Sequence, residues 1–170
     1  GKLDADAVEA TLARIEPLAA LEEAGDVGLA IEAIVENLDA KRALFQQLES
    51  LLSTNCVLAT NTSSISVTAI ANGLQHPGHL VGMHFFNPAP VLPLVEVVRG
   101  ARTSDAALTR AVGFARKLGK TPVVVRDAPG FVVNRILVPM INEAFFVLAE
   151  GLATPEDIDA GMKLGCNQPI

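Results

Sequence analysis

Short apolar runs alternate with amphipathic helical segments over residues 1–126, and this alternation constrains the fold more than any other feature of the sequence. Apolar runs of strand length occur within residues 28–36, 56–64, 79–86, 92–100 and 121–127. The periodicity of the remaining segments predicts helices over residues 6–15, 39–52, 68–72 and 104–118. Alternation of this kind favours an α/β domain built on parallel strands.

The helix that Asn37 and Asp39 open is predicted to bury one face only. Its apolar stripe consists of Leu44, Leu48, Leu51 and Leu52, and the residues off that stripe are Lys41, Arg42, Gln46 and Gln47. Glu36 and Lys41 flank the start of this helix, but five residues is a poor spacing for a helical pair. From the residues alone, a position on the protein surface is the simpler interpretation for both.

The pattern changes after Asp127. Residues 128–130 form a break, and residues 131–150 are apolar over most of a helical circumference. Thr154 and Pro155 then begin a second helix, predicted to run to about Leu164 and to stop at Gly165. Because a helix apolar on most sides must be buried, further sequence or a second subunit is expected to cover residues 131–150.

Composition excludes several classes of function. Half of the 170 residues are hydrophobic and 19% are charged, which excludes intrinsic disorder. The net charge of −6 makes nucleic acid an unfavourable partner. Polar residues interrupt the longest apolar stretch, and the first ten residues contain no apolar signal core, so a soluble cytoplasmic protein is predicted. Two distant cysteines, Cys56 and Cys166, predict neither a disulfide framework nor a metal site, and each is interpreted as a small buried hydrophobe.

His84 and Glu96 are the first candidates for chemistry. His84 ends an apolar run at a loop, the position at which open α/β sheets bind ligands. Glu96 lies inside another apolar run, where a lone carboxylate is costly unless it is paired. Because a short loop joins the two runs, a pair is predicted in which Glu96 orients His84 as a general base. The alternatives are a hydrogen-bonded histidine on an edge strand and a Glu96 that points to solvent.

Other polar residues support more than one interpretation. The cluster Asn61–Thr62–Ser63–Ser64 follows an apolar run and fits either a ligand or a helix cap. Asn134 and Arg135 interrupt an apolar helix, where a polar amide needs a partner such as a ligand carbonyl. His76 and His79 are interpreted as surface residues of a turn.

Four segments together resemble the L-3-hydroxyacyl-CoA dehydrogenases: IVENLDAKRALF, ATNTSS, GMHFFNPAPVLPLVEVV and DAPGFVVNRILVPMINEA. The resemblance extends from about Gly28 to the end of the chain. It implies the C-terminal part of a Rossmann-type NAD-binding domain over residues 1–126, lacking its first βαβ part. It also implies the start of an all-α dimerisation domain over residues 127–170. No G-x-G-x-x-G turn occurs in the sequence, so residues 1–170 alone are expected to bind NAD poorly.

The resemblance also implies individual roles. His84 looks like the base that takes the proton of a 3-hydroxyl group, and Glu96 looks like its orienting carboxylate. Ser63 looks like the serine that hydrogen-bonds the substrate oxygen and lies near the nicotinamide. Asn134 looks like the active-site asparagine contributed by the linker into the helical domain. On the NAD side of the cleft, the matching positions are Glu36, Lys41 and Asn87.

The implied activity is NAD-dependent oxidation of an (S)-3-hydroxyacyl-CoA to a 3-oxoacyl-CoA, as in fatty-acid β-oxidation or related catabolism, by a homodimer. The implied substrate is an acyl-CoA, the implied cofactor is NAD, and no metal or membrane partner is expected. The alternatives are a non-catalytic relative, an inactive fragment, and a dehydrogenase of 2-hydroxy acids or 6-phosphogluconate. Retention of the four catalytic-type residues disfavours the first alternative, and the segment HFFNPAP disfavours the last.

Overall fold

A computed structural model describes residues 4–168 of the chain. The strands are β1 (Leu29–Glu32), β2 (Val57–Thr60), β3 (Leu80–Phe85), β4 (Leu94–Arg99) and β5 (Thr121–Arg126). The helices are α1 (Ala5–Leu12), α2 (Leu38–Leu51), α3 (Val67–Ala71), α4 (Asp105–Lys117), α5 (Val133–Ala149) and α6 (Pro155–Cys166). The predicted α/β class is confirmed, with a helical segment after the sheet.

The five strands form one sheet in the order β1-β2-β3-β4-β5. Three neighbouring pairs are parallel, but β3 and β4 run antiparallel. The prediction of parallel strands is confirmed for three of the four neighbouring pairs and is wrong for β3 and β4. The reason is the connection: residues 86–93 are too few for a crossover, and a short loop permits only antiparallel pairing.

Helices cover both faces of the sheet. One face packs against α2 and α3 through a core that includes Phe45, Leu58 and Ile70. The other face packs against α4 through a core that includes Val81 and Val97 together with the small residues Ala107, Ala111 and Ala115. Alternate side chains of each strand point to opposite faces, so every central strand contributes to both cores.

The buried face of α2 differs from the predicted stripe. Asn37 caps the helix by accepting a hydrogen bond from the backbone N–H of Ala40 at 3.0 Å, as predicted. The buried residues of α2 are Lys41, Phe45 and Leu48, whereas Leu51 is exposed. The placement of Lys41 on the polar side is wrong, because its ammonium is paired with the buried carboxylate of Glu32 and with Glu36, as described below.

The boundaries of the last two helices follow local backbone geometry. Helix α5 starts at Val133 and not at 131, because Gly130 and Phe131 both adopt positive φ angles of 75° and 50°. A side chain at position 130 would meet the backbone nitrogen of Arg135 at 2.8 Å, so the turn requires glycine. Thr154 caps α6 as predicted. The helix continues beyond Gly165 and ends at Asn167, which adopts the left-handed conformation.

Helix α5 has little protein around it. Every residue of α5 is exposed or half-buried, including Ile136 at 65%, Phe145 at 65% and Phe146 at 55% exposure. Within residues 4–168, none of the helices is both long enough and apolar enough to cross a membrane. The two cysteines differ: Cys56 is buried as predicted, whereas Cys166 is exposed, and the prediction for Cys166 is wrong.

Asp127 ties the end of β5 to the start of α3. One carboxylate oxygen accepts hydrogen bonds from the hydroxyl of Ser66 and from the backbone N–H of Thr68, both at 2.7 Å. Burial alone would raise the pKa of Asp127, but these hydrogen bonds outweigh it and lower the pKa below its usual value of 3.8. The carboxylate therefore fixes the loop that follows β2 against the turn that leads into α5.

Replacing Asp127 with asparagine is expected to lower the free energy of unfolding by about 1 to 2 kcal/mol near neutral pH. A depressed folded-state pKa stabilises the protein above the unfolded value, and this stabilisation is lost as the pH falls through the folded value. The difference between Asp127→Asn and the unchanged protein should therefore shrink below about pH 4. Urea titrations at several pH values measure it, with the exposed Asp159→Asn as control. A difference independent of pH would contradict this account.

Candidate active site

Four polar side chains lie on one face of the sheet, the face that packs against α2 and α3. The pairing of the strands sets their positions. Glu32 on β1 lies opposite Thr60 on β2, and His84 on β3 lies opposite Glu96 on β4. All four are buried. Glu32, Thr60 and His84 lie at the carboxyl ends of their strands, where ligands bind in open α/β sheets.

His84 and Glu96 form a hydrogen-bonded pair. The imidazole Nδ1 lies 2.8 Å from the Oε2 atom of Glu96. Because a carboxylate accepts hydrogen bonds, Nδ1 donates its proton, and Nε2 remains free to accept one. Glu96 is 1% exposed on a strand between β3 and β5, so the alternative in which it points to solvent is wrong. His84 also lies on a central strand and not at an edge.

The second oxygen of Glu96 holds the start of α5. Its Oε1 atom accepts hydrogen bonds from the backbone N–H groups of Val132 and Val133, each at 3.0 Å. The ring of Phe131 lies 5.6 Å from that of His84, and the ring of Phe86 lies 4.4 Å away. One carboxylate therefore fixes both the imidazole and the first turn of the helix that carries Asn134.

Glu36 organises the turn that follows β2. Its Oε1 atom accepts hydrogen bonds from the Thr62 hydroxyl, from the backbone N–H groups of Ser63 and Ser64 at 3.1 and 3.2 Å, and from the Ser64 hydroxyl. Burial would raise the pKa of Glu36, but the hydrogen bond from Thr62 and the contact with Lys41 lower it to about 2. The ionised carboxylate thus defines the conformation of residues 62–64, which we call the serine turn.

Lys41 is buried behind Glu36. Its ammonium lies 3.1 Å from Glu36 Oε2 and 2.7 Å from Glu32 Oε1, and its side chain is 1% exposed. The surface interpretation of Glu36 and Lys41 is therefore wrong for Lys41. Residues five apart meet here because Glu36 precedes the helix and its side chain folds back toward the sheet.

An open cleft of about 500 Å³ separates the serine turn from α5. Its lining includes Ser63 and Ser64 on one side and Asn134 and Arg135 on the other. The structure thus brings Ser63 and Asn134 together. His84 is not part of this lining, and Glu96 joins it to the first turn of α5, which carries Asn134. Asn87 lies apart, in the exposed loop after β3.

The residues alone did not point to Glu32. Glu32 lies in the apolar run of residues 28–36, just as Glu96 lies in that of residues 92–100. Each is a lone carboxylate in an apolar strand and therefore needs a partner. Among residues 4–168, the His, Cys, Asp and Glu side chains form no group of three or more that could hold a metal ion.

Comparison with known proteins identifies two matching family models. The NAD-binding domain of 3-hydroxyacyl-CoA dehydrogenase matches residues 1–128, and the C-terminal domain of the same enzymes matches residues 130–170. Two curated relatives are described as probable 3-hydroxybutyryl-CoA dehydrogenases. The protein from Deinococcus radiodurans is 49% identical over the whole chain and that from Bacillus subtilis is 46% identical.

A solved structure is similar throughout. The crystal structure of (S)-3-hydroxybutyryl-CoA dehydrogenase from Ralstonia eutropha superposes with a TM-score of 0.95 at 48% identity, over 99% of this chain and 60% of that one. The present chain covers 61% and 59% of the lengths of the two curated relatives. It therefore spans about three fifths of the proteins that it matches.

Proposed function

The chain belongs to the 3-hydroxyacyl-CoA dehydrogenase family, and from this premise we propose that the whole protein oxidises (S)-3-hydroxyacyl-CoA to 3-oxoacyl-CoA with NAD. The observation that carries the proposal is the buried pair of His84 and Glu96, at the carboxyl end of β3. Oxidation of a secondary alcohol removes a proton from oxygen, and a histidine with one nitrogen fixed by a carboxylate is suited to accept it.

We assign the proton transfer to the Nε2 atom of His84. Nδ1 is engaged with Glu96, so Nε2 takes the proton of the 3-hydroxyl group while Glu96 stabilises the positive charge that the ring acquires. In the reverse direction the same nitrogen donates the proton to the ketone. A positioned acid or base of this type contributes about 10² to 10⁴ in rate.

Ser63 and Asn134 are proposed to position the substrate. They face each other across the cleft, and each offers a neutral hydrogen-bonding group. In this proposal Ser63 bonds the reacting oxygen, and Asn134 contacts the substrate from the first turn of α5. Holding the alcohol beside the base is itself a large part of catalysis, because it removes the entropic cost of encounter.

Three polar groups are proposed to contact the nicotinamide end of NAD. Ser63 offers a hydroxyl at the cleft, Glu36 offers an ionised acceptor behind the serine turn, and Asn87 offers an amide in the separate loop after β3. Such groups suit a carboxamide and ribose hydroxyls. NAD, when bound, supplies the ring that accepts the hydride from the substrate carbon. A direct contact between Lys41 and NAD stays a prediction. Because Lys41 is buried, it is better placed to hold Glu36 than to contact NAD itself.

From the same family membership we propose two domains: an NAD-binding part over residues 1–126 and the start of a helical part over residues 127–170. A cytoplasmic location is also proposed. We also propose that the whole protein is a homodimer in which α5 contributes to the interface. What supports this is the row of large apolar side chains exposed along α5, including Ile136, Phe145 and Phe146.

Replacing Phe145 with glutamate in the whole protein is expected to weaken dimerisation at least tenfold, because a charge would be buried against apolar surface. Light scattering over a concentration series measures the dissociation constant. Lys163→Glu, an exposed change on α6, serves as the control. A whole protein that stays monomeric at high concentration, or a Phe145→Glu variant with unchanged dimerisation, would contradict the proposed role of α5.

The proposed reaction is tested by following NADH formation by the whole protein with 3-hydroxybutyryl-CoA and with a longer 3-hydroxyacyl-CoA. Turnover with either supports the proposal, and the ratio of the two rates gives the preference for chain length. Absence of turnover with both, in a protein that binds NAD by calorimetry, would favour the non-catalytic alternative.

A further inference from the structure

Glu32 is a buried carboxylate that the proposed mechanism does not use. Its side chain is fully inaccessible and accepts three hydrogen bonds. One oxygen accepts from the Lys41 ammonium at 2.7 Å and from the backbone N–H of Ile34 at 2.6 Å, and the other from the Thr60 hydroxyl at 2.7 Å. A charge held at this depth by three donors fixes its surroundings in one arrangement.

The contacts continue from Glu32 to the cleft. Lys41 bridges Glu32 and Glu36, and its ammonium is the one cation that contacts either carboxylate among residues 4–168. Glu36 in turn accepts the backbone N–H groups of Ser63 and Ser64. The position of the serine turn therefore depends on Glu36, the position of Glu36 on Lys41, and that of Lys41 on Glu32.

Thr60 gives a second connection between Glu32 and the same turn. Its hydroxyl oxygen donates to Glu32 and also accepts the backbone N–H of Thr62 at 3.3 Å. The serine turn is thus held by Thr60, which bonds to Glu32 directly, and by Glu36, which is joined to Glu32 through Lys41. Glu32 itself does not line the cleft, so any effect that it has there passes through these contacts.

We propose that Glu32 is a positioning residue of the active site, which sets the serine turn, and with it Ser63, through Lys41 and Glu36. This inference rests on the proposed function for the role of Ser63 but not for the geometry of the turn. Loss of the Glu32 charge leaves Lys41 with Glu36 as its only carboxylate, so the ammonium shifts and Glu36 follows it. A displacement of about 1 Å at the reacting groups is enough to lower rates by about 10²-fold.

A paired substitution separates positioning from stability. Removing one member of a buried ion pair is destabilising, whereas replacing both members with neutral side chains of similar size restores stability. Glu32→Gln alone is therefore expected to lower the melting temperature. Glu32→Gln combined with Lys41→Met is expected to recover it while leaving Glu36 without its cation.

The experiment compares the whole protein with Glu32→Gln and with the double variant, at a temperature at which urea titration shows all of them folded. The expected result is that kcat/KM for 3-hydroxybutyryl-CoA falls at least tenfold in both variants. The fall lies mainly in kcat, because Ser63 bonds the reacting oxygen. Asp39→Asn removes one negative charge at an exposed position of α2, the helix that carries Lys41, and should stay within twofold of the unchanged protein.

Hydrogen exchange of the peptide spanning residues 61–66 gives a readout independent of activity. Exchange of the Ser63 and Ser64 amides is expected to accelerate at least tenfold in both variants, while the amides of β3 and β4 keep their protection. If this peptide exchanges at the same rate in the double variant as in the unchanged protein, the proposal is overturned. If the unchanged protein forms no NADH, the proposed function fails, and hydrogen exchange still decides whether Glu32 sets the turn.

Discussion

Replacing His84 with glutamine is expected to lower kcat by about 10² to 10⁴ while leaving the fold intact. Glutamine keeps a polar group beside Glu96 but cannot accept the proton of an alcohol near neutral pH. The loss should therefore appear in kcat, with a smaller change in KM, since the groups that hold the substrate stay in place. NADH formation with 3-hydroxybutyryl-CoA measures both parameters in the whole protein.

His76→Gln is the matched control for that substitution. His76 is exposed, and its backbone N–H, not its ring, bonds to Glu49. The same chemical change at this position should leave kcat within about twofold and stability within about 0.5 kcal/mol. A His84→Gln variant that retains the activity of His76→Gln would show that another group takes the proton.

Replacing Glu96 with alanine is expected to have the largest effect on stability of any single change considered. The substitution removes the partner of the buried His84 and the acceptor of two backbone N–H groups, at a position 1% exposed. Breaking a buried pair of this kind costs about 3 to 5 kcal/mol. Urea denaturation monitored by circular dichroism measures the change in the free energy of unfolding.

Glu96→Gln separates the two roles of this carboxylate. Glutamine keeps an oxygen that can accept from Val132 and Val133, so its cost in stability should be well below that of alanine. Its amide NH₂ then faces His84 Nδ1 and favours the other tautomer, with the proton on Nε2, so kcat should fall about 10²-fold or more. Glu9→Ala, an exposed change on α1, should alter neither quantity measurably. A Glu96→Gln variant with full activity would contradict the assigned orientation of the ring.

The pairing of His84 with Glu96 could be predicted because two independent constraints agree. A carboxylate within an apolar strand needs a partner, and the short loop between the two strands forces them side by side. No single residue predicts the register of β3 and β4, and in the structure that register places His84 directly opposite Glu96. Glu32 is also a carboxylate within an apolar strand, and its partners Lys41 and Thr60 lie nine and 28 residues further along the chain.

Other parts of the site depend on geometry that spacing rules do not describe. Glu36 and Lys41 are five residues apart and would not meet on one helix face, but Glu36 lies before the cap Asn37. Phe131 adopts a positive φ that a phenylalanine rarely takes, which shifts the start of α5 by two residues. Such conformations are set by tertiary contacts, here by the hydrogen bonds that the backbone N–H groups of Val132 and Val133 donate to Glu96.

The most direct test of the account follows the hydrogen on the substrate carbon. The whole protein is incubated with NAD and (S)-3-hydroxybutyryl-CoA that carries deuterium at carbon 3, and the NADH formed is analysed by mass spectrometry. We expect NADH that contains one deuterium, formed at a rate that His84→Gln lowers by about 10²-fold or more. NADH without deuterium, or an equal rate with His84→Gln, would contradict it.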